Sequence, residues 1–146
     1  MDNQGSSNKV EVKKIPKPNN IIRVKATPDK DFFKWWCVLL RPFIPLTNKE
    51  IDVIASFLRQ RWELSKKITD LSLLDTLLMS EETKRKVQEE CGITLAHFYV
   101  IMSNLKKNGV IVNNRIHSRL IPNVKVNANG QFILMVLFEE DKFKEQ

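Results

Sequence analysis

Residues 82–122 read ETKRKVQEECGITLAHFYVIMSNLKKNGVIVNNRIHSRLIP, and a change of rhythm inside this stretch decides the fold. Up to Asn108 the large apolar residues recur every three or four positions, which places them on one side of a helix; beyond Gly109 they alternate in places, the period of extended chain. Ser80 stands where an N-cap belongs for a helix over Glu81–Cys91, and Glu81 and Glu82 favour its positive N-terminal end. Gly92 closes that helix, because glycine adopts the left-handed conformation of a helix C-terminus without steric cost. After Ile93, Thr94 caps a second helix, LAHFYVIMSNLKKN, closed by Asn108-Gly109. The pattern predicts two helices joined by a three-residue turn.

Working outward, Thr47 and Glu50 form a capping box ahead of a helix over 48–66, whose Ile51, Ile54, Phe57, Leu58 and Trp62 make one apolar stripe on a charged rod. SLLDTLLM predicts a short helix over 70–79. On the other side, NANG (Asn127 to Gly130) is a hairpin turn signal, and QFILMVLFEE after it is a nearly continuous apolar strand. Helices first and a small antiparallel sheet last make an α+β chain, mainly helical. Four segments result: an extended basic arm at 1–30, an aromatic-rich segment at 31–46, a body at 47–140 and a solvated tail at 141–146.

This body resembles the winged-helix family. The second helix ends in Leu105-Lys106-Lys107-Asn108-Gly109-Val110-Ile111, similar to the leucine, polar residues, glycine and apolar pair that lead such proteins into their first wing strand. The resemblance spans about 47–138 and implies a helix-turn-helix core with a C-terminal β-hairpin. Fold alone does not assign function.

The second helix offers little for reading DNA. Phe98, Ile101, Met102 and Leu105 share the face that packs inward. The opposite face presents Ala96, His97, Val100, Ser103, Asn104 and Lys107, with Tyr99 at its border, and no Arg, Lys, Asn or Gln precedes Asn104. Base edges in the major groove are read by those four residue types, so Ala96 and Val100 suit a protein-facing surface better. Arg115, His117 and Arg119 recur every second residue, so a strand there sets all three on one side, either as phosphate contacts or as the charged wet face of an edge strand. Lys106 and Lys107 join Arg115 and Arg119 as candidate phosphate contacts. Lys84, Arg85 and Lys86 share their helix with Glu81, Glu82, Glu89 and Glu90, which cancels its charge and predicts a solvated run.

The chain has 146 residues and a net charge of +7, and +4 of that excess falls on the arm: Lys9, Lys13, Lys14, Lys17, Arg23, Lys25 and Lys30 against Asp2, Glu11 and Asp29. An arm this basic and rich in proline is disordered alone, and serves either as a solubilising tail or as a tether to phosphate or to an acidic protein surface. Within it KVEVKK and IIRVK alternate in the manner of a strand that adds to a neighbour's sheet edge. Cys37 and Cys91 lack metal-site spacing to each other or to His97 and His117, which predicts neither zinc nor a disulfide framework and fits a reducing, cytoplasmic setting. MDNQGSSNK lacks the apolar core of a secretory signal, and Lys34 and Arg41 interrupt the longest apolar run, so neither export nor membrane spanning is expected. No constellation with catalytic spacing is present, and the expectation is a non-enzyme with no cofactor and no small-molecule substrate.

The aromatic-rich segment carries more apolar surface than a small helical domain needs. Phe32, Phe33, Trp35, Trp36, Leu39, Leu40, Phe43 and Ile44 either form a helix packed across the back of the body or anchor a subunit contact. WWCVLLRPFIPLTNKEIDVIASFL after a basic, proline-containing arm is similar to small virion proteins of crAss-like bacteriophages. That resemblance implies a ring or adaptor at the head-tail or portal region, present in the virion and assembled in the host cytoplasm from copies of itself and other subunits. The alternative is a winged-helix DNA-binding protein: a transcriptional regulator, or a packaging or replication protein.

Overall fold

The structure, a computed structural model, describes residues 31–124 and Glu140. The expected arm at 1–30, the NANG hairpin, the strand QFILMVLFEE up to its last residue, Glu140, and the tail at 141–146 lie outside the described residues. Within them the chain runs α1 (Phe32–Leu39), α2 (Asn48–Ser65), α3 (Leu71–Leu78), α4 (Glu81–Cys91), α5 (Leu95–Lys107), β1 (Ile111–Val112), β2 (Arg115–Ile116) and a 3-10 turn (Ser118–Leu120). The described protein is mainly helical, with one small two-stranded antiparallel sheet.

Side-chain caps fix where the helices start. At α2 the Glu50 N–H donates to Thr47 Oγ1 at 3.2 Å while the Thr47 N–H donates to Glu50 Oε1 at 3.0 Å, so two backbone donors without helical partners are satisfied reciprocally. Asp70 accepts from the N–H groups of Ser72 and Leu73, Ser80 from Thr83, and Thr94 from His97. Gly92 ends α4 at φ 61°, and the chain re-enters a helix after Gly92, Ile93 and Thr94.

The core is built around α2, against which α1, α3, α4 and α5 pack. Val53, Ile54, Phe57 and Leu58 of α2 are buried among Leu78, Val87, Phe98 and Leu105 from the surrounding helices. The rings of Phe57 and Phe98 lie 6.3 Å apart. Glu90 ties α4 to α2: it accepts from Ser56 Oγ at 3.1 Å and Gln60 Nε2 at 2.9 Å and pairs with the Arg59 guanidinium. Glu90, itself exposed as expected of this run, is thus also a junction between helices. The expectation holds for its helix neighbours, where Lys84 pairs with Glu81 and Lys86 with Glu82 at the surface.

After α5 the Val110 N–H donates to Leu105 O at 2.9 Å, and β1 turns into β2 through Asn113 and Asn114, at φ 53° and 58°. Two consecutive left-handed residues make the tight turn that suits the twist of a two-residue hairpin, and asparagine tolerates that conformation better than other non-glycine residues. Ile111 faces Ile116 across the pair, and both are buried. β2 stops at Ile116. His117 Nδ1 then accepts from the Arg119 N–H at 3.1 Å and starts the 3-10 turn, so Arg115, His117 and Arg119 do not form one row on a strand.

Candidate protein interface

Helix α1 is apolar on two sides. Phe32, Phe33 and Cys37 are buried in the chain's own core, and Trp36, Leu40 and Ile44 pack partly buried against it. Phe33 stacks tilted on Trp62, 6.4 Å between centroids. Trp36 Nε1 donates to the Leu120 carbonyl at 2.7 Å, pinning α1 to the segment after the hairpin. Of the two roles expected for this segment, Phe32 and Phe33 take that of the packed helix and not that of interface anchors: the helical spacing 32, 33, 36, 37, 40 turns them toward α2.

The other side of α1 has no such cover among the described residues. Trp35, Val38 and Leu39 are 54%, 43% and 51% exposed, and Phe43, just past the helix, is 77% exposed. Their spacing of three, four and eight positions makes a second apolar stripe. Beside it lies a shallow, wide-open depression lined by Val38, Arg41, Pro42, Pro45, Leu46 and Thr47. Arg41 is held at its edge by donating from Nε to Leu46 O at 3.1 Å and from Nη2 to Asn48 Oδ1.

A second apolar face lies on α5. Phe98, Ile101, Met102 and Leu105 are buried, as their spacing predicts, while Ala96 and Val100 lie exposed with Leu95 and Tyr99. Leu95 was not among the expected residues, although its spacing of four from Tyr99 places it on the same outer side. From Leu95 to Asn104 this helix carries no Asp, Glu, Lys or Arg.

Lys106, Lys107, Arg115 and Arg119 are all exposed, and among the described residues none forms an ion pair. They cluster in sequence at the end of α5 and around the hairpin. The thiols are protonated at neutral pH: burial pushes Cys37 up to about 12, and burial followed by the nearby Asp52 carboxylate pushes Cys91 up to about 11. Among the described residues no group of three or more His, Cys, Asp and Glu side chains is placed to hold a metal ion, and no helix is long and apolar enough to cross a membrane. No family model, curated protein or solved structure matches the chain.

Proposed function

We propose that the chain is a non-enzymatic structural subunit of a multi-protein assembly, a ring or adaptor component of a bacteriophage virion at the head-tail or portal region. One observation carries the assembly reading: α1 spends one apolar face on its own core and still shows a second, Trp35, Val38, Leu39 and Phe43, to solvent. Burying an aromatic side chain is worth roughly 1.5–3 kcal/mol, so a stripe of this kind favours association. Trp and Phe are also suited to anchoring subunit contacts. The virion setting rests on the sequence resemblance alone. A winged-helix-like body agrees with the three-residue turn between α4 and α5 and with the hairpin that follows α5 directly.

The test is the mass of the purified full chain by light scattering across concentration. A discrete oligomer that the Trp35→Ser, Phe43→Ser double variant dissociates is the expected result. A parent chain that stays monomeric at high concentration, alone and with the products of neighbouring genes, discards the reading.

The four exposed cations, which form no ion pair among the described residues, favour a second reading, a winged-helix DNA-binding protein. Lys106, Lys107, Arg115 and Arg119 would then sit on phosphates, and affinity would fall steeply with salt as counterions are released. The uncharged first half of α5 supplies nothing for base recognition, so such binding would be indifferent to sequence. Binding to duplex DNA whose salt dependence flattens in Arg115→Ala, Arg119→Ala supports it; no binding at low salt removes it.

A further inference from the structure

The C-terminal part of α2 and the segment that follows the 3-10 turn enclose a small cavity. Phe33, Leu58 and Trp62 form its apolar wall, and the exposed Ser65 and Asn123 add polar groups. Arg61 is the one charged residue lining it among the described residues. Its volume of about 140 Å³ is well below the roughly 300–1,000 Å³ of a site for a drug-sized ligand, so it has room for one functional group and a short tail.

Arg61 lacks an acceptor. Its side chain is 16% exposed, and its Nε is buried without a hydrogen-bond partner. Asp75 Oδ1 lies 3.6 Å from Nε, near enough to balance charge and too far to accept the hydrogen. Among the described residues the guanidinium donates no hydrogen bond. The carbonyls of the last turn of α2 are already engaged: Trp62 O accepts from Ser65 Oγ at 2.6 Å, and Glu63 O and Leu64 O accept from the N–H groups of Lys66 and Lys67. Donors held away from water without a partner destabilise a fold, and an acceptor that reaches them is bound with that cost recovered. With Nε turned to Asp75, the Nη1–Nη2 edge remains for a planar acceptor with two oxygens. We propose that this cavity is a binding site for a carboxylate carried on a short apolar group, held by the Nη edge of Arg61. The site uses none of the exposed stripe of α1 and does not depend on the assembly reading.

Two observations select a carboxylate over other anions. First, charge: Arg61, Lys66 and Lys67 stand against Glu63 and Asp75 around this end of α2, an excess of one positive charge. A single negative charge closes that balance, whereas a phosphate dianion exceeds it. Second, the wall: Phe33, Leu58 and Trp62 offer apolar surface to a hydrocarbon tail and nothing to the hydration shell of an inorganic ion. The outer face of Trp62 is occupied as well, by Lys66 Nζ at 3.8 Å from the ring centroid. A free short-chain acid and an acidic side chain of a polypeptide share this chemistry.

The experiment titrates the full chain with butyrate, butyramide, inorganic phosphate and the blocked peptide Ala-Glu-Ala, following the assigned Nε–Hε resonance of Arg61 by NMR. At least one of the two carboxylates is expected to shift that resonance saturably, with a Kd on the order of 1 mM. Butyramide and phosphate should bind at least about tenfold more weakly than that carboxylate, the factor that corresponds to one charge-assisted hydrogen bond. Tighter binding of butyrate assigns the site to a free acid, and tighter binding of the peptide assigns it to an acidic residue of a partner chain. Arg61→Lys keeps the charge beside Asp75 but loses the fork, and should weaken binding about tenfold. Lys86→Ala, which removes a cation outside the cavity, should leave it unchanged. Circular dichroism establishes that Arg61→Lys is folded; if it is not, the resonance of Arg61 in the parent decides alone. An Arg61 signal that neither carboxylate moves, butyramide or phosphate binding as tightly as the carboxylates, or a folded Arg61→Lys variant with the parent's affinity overturns the proposal.

Discussion

The indole Nε1 of Trp36 and the carbonyl oxygen of Leu120 meet at 2.7 Å across 84 positions of sequence. The contact joins the helix ahead of the body to the turn that follows its hairpin. Its neighbour Trp35 points the other way and is 54% exposed. Two adjacent tryptophans thus have opposite duties, one structural and one turned outward.

Replacing Trp36 with Phe keeps most of the apolar contact but leaves the Leu120 carbonyl without its donor. A partly buried acceptor stripped of its partner costs about 1–2 kcal/mol. Trp35→Phe should change stability by less than about 0.5 kcal/mol, as exposed substitutions usually do. Urea denaturation of the two variants beside the parent, in conditions where all are monomeric, checks the contrast. Equal effects would mean that the indole bond contributes nothing.

Glu90 gathers Ser56, Arg59 and Gln60 of α2 at one carboxylate, near the C-terminal end of α4, where a negative charge is otherwise disfavoured. Glu90→Ala should cost about 1–2 kcal/mol, Glu90→Gln less because it keeps an acceptor, and the exposed Glu89→Ala close to nothing. Because the Arg59 pair is partly exposed, the cost of Glu90→Ala should shrink as salt is added. Thermal melts at low and high ionic strength read both effects.

Most of the helical order was legible because it rests on local chemistry. Thr47 with Glu50, Ser80, Thr94 and Gly92 are short-range signals, and each marks a helix end within a residue or two of where the sequence places it. Tertiary partners were less legible. Nothing local distinguishes Glu90 from Glu89; only the approach of α2 does. Within 32–46 the composition announces surplus apolar surface, but which residues turn inward depends on how α1 lies on α2, and that orientation sends Phe32 and Phe33 into the core and Trp35 and Phe43 out. The hairpin at Asn113-Asn114 was missed, because two asparagines between Val112 and Arg115 make the turn without a glycine to mark it. The alternation that runs on through His117 and Arg119 disguised where the strand stops.

Gly92 holds φ 61° at the end of α4, and a Cβ placed there would meet no atom within 4 Å. The cost of Gly92→Ala is therefore backbone strain without a clash, about 1 kcal/mol. Gly92→Asn should recover part of it, since asparagine adopts the left-handed region more readily. Denaturant midpoints in the order parent, Asn, Ala are the expected result, and an Ala variant as stable as the parent would show that the turn tolerates a different backbone path.

The two thiols make stability depend on pH on the alkaline side. The folded chain retains protons on Cys37 and Cys91 that an unfolded chain releases near pH 9, because burial raises the two groups to about 12 and about 11. Stability from this source is complete below pH 9 and falls as pH rises toward those values, since the unfolded state then binds fewer protons than the folded one. A Cys37→Ala, Cys91→Ala variant carries a fixed packing loss at every pH but lacks the alkaline decline. The stability gap between parent and variant should therefore narrow between pH 9 and 11. Every other ionisable group is common to both proteins and cancels in the difference. Labelling with a thiol-reactive disulfide at neutral pH gives an independent reading: the partly exposed Cys91 should react first, and Cys37 only as fast as the fold opens. Rapid labelling of Cys37 in the native protein would mean that α1 separates from α2 far more readily than the burial of Phe32, Phe33 and Cys37 implies.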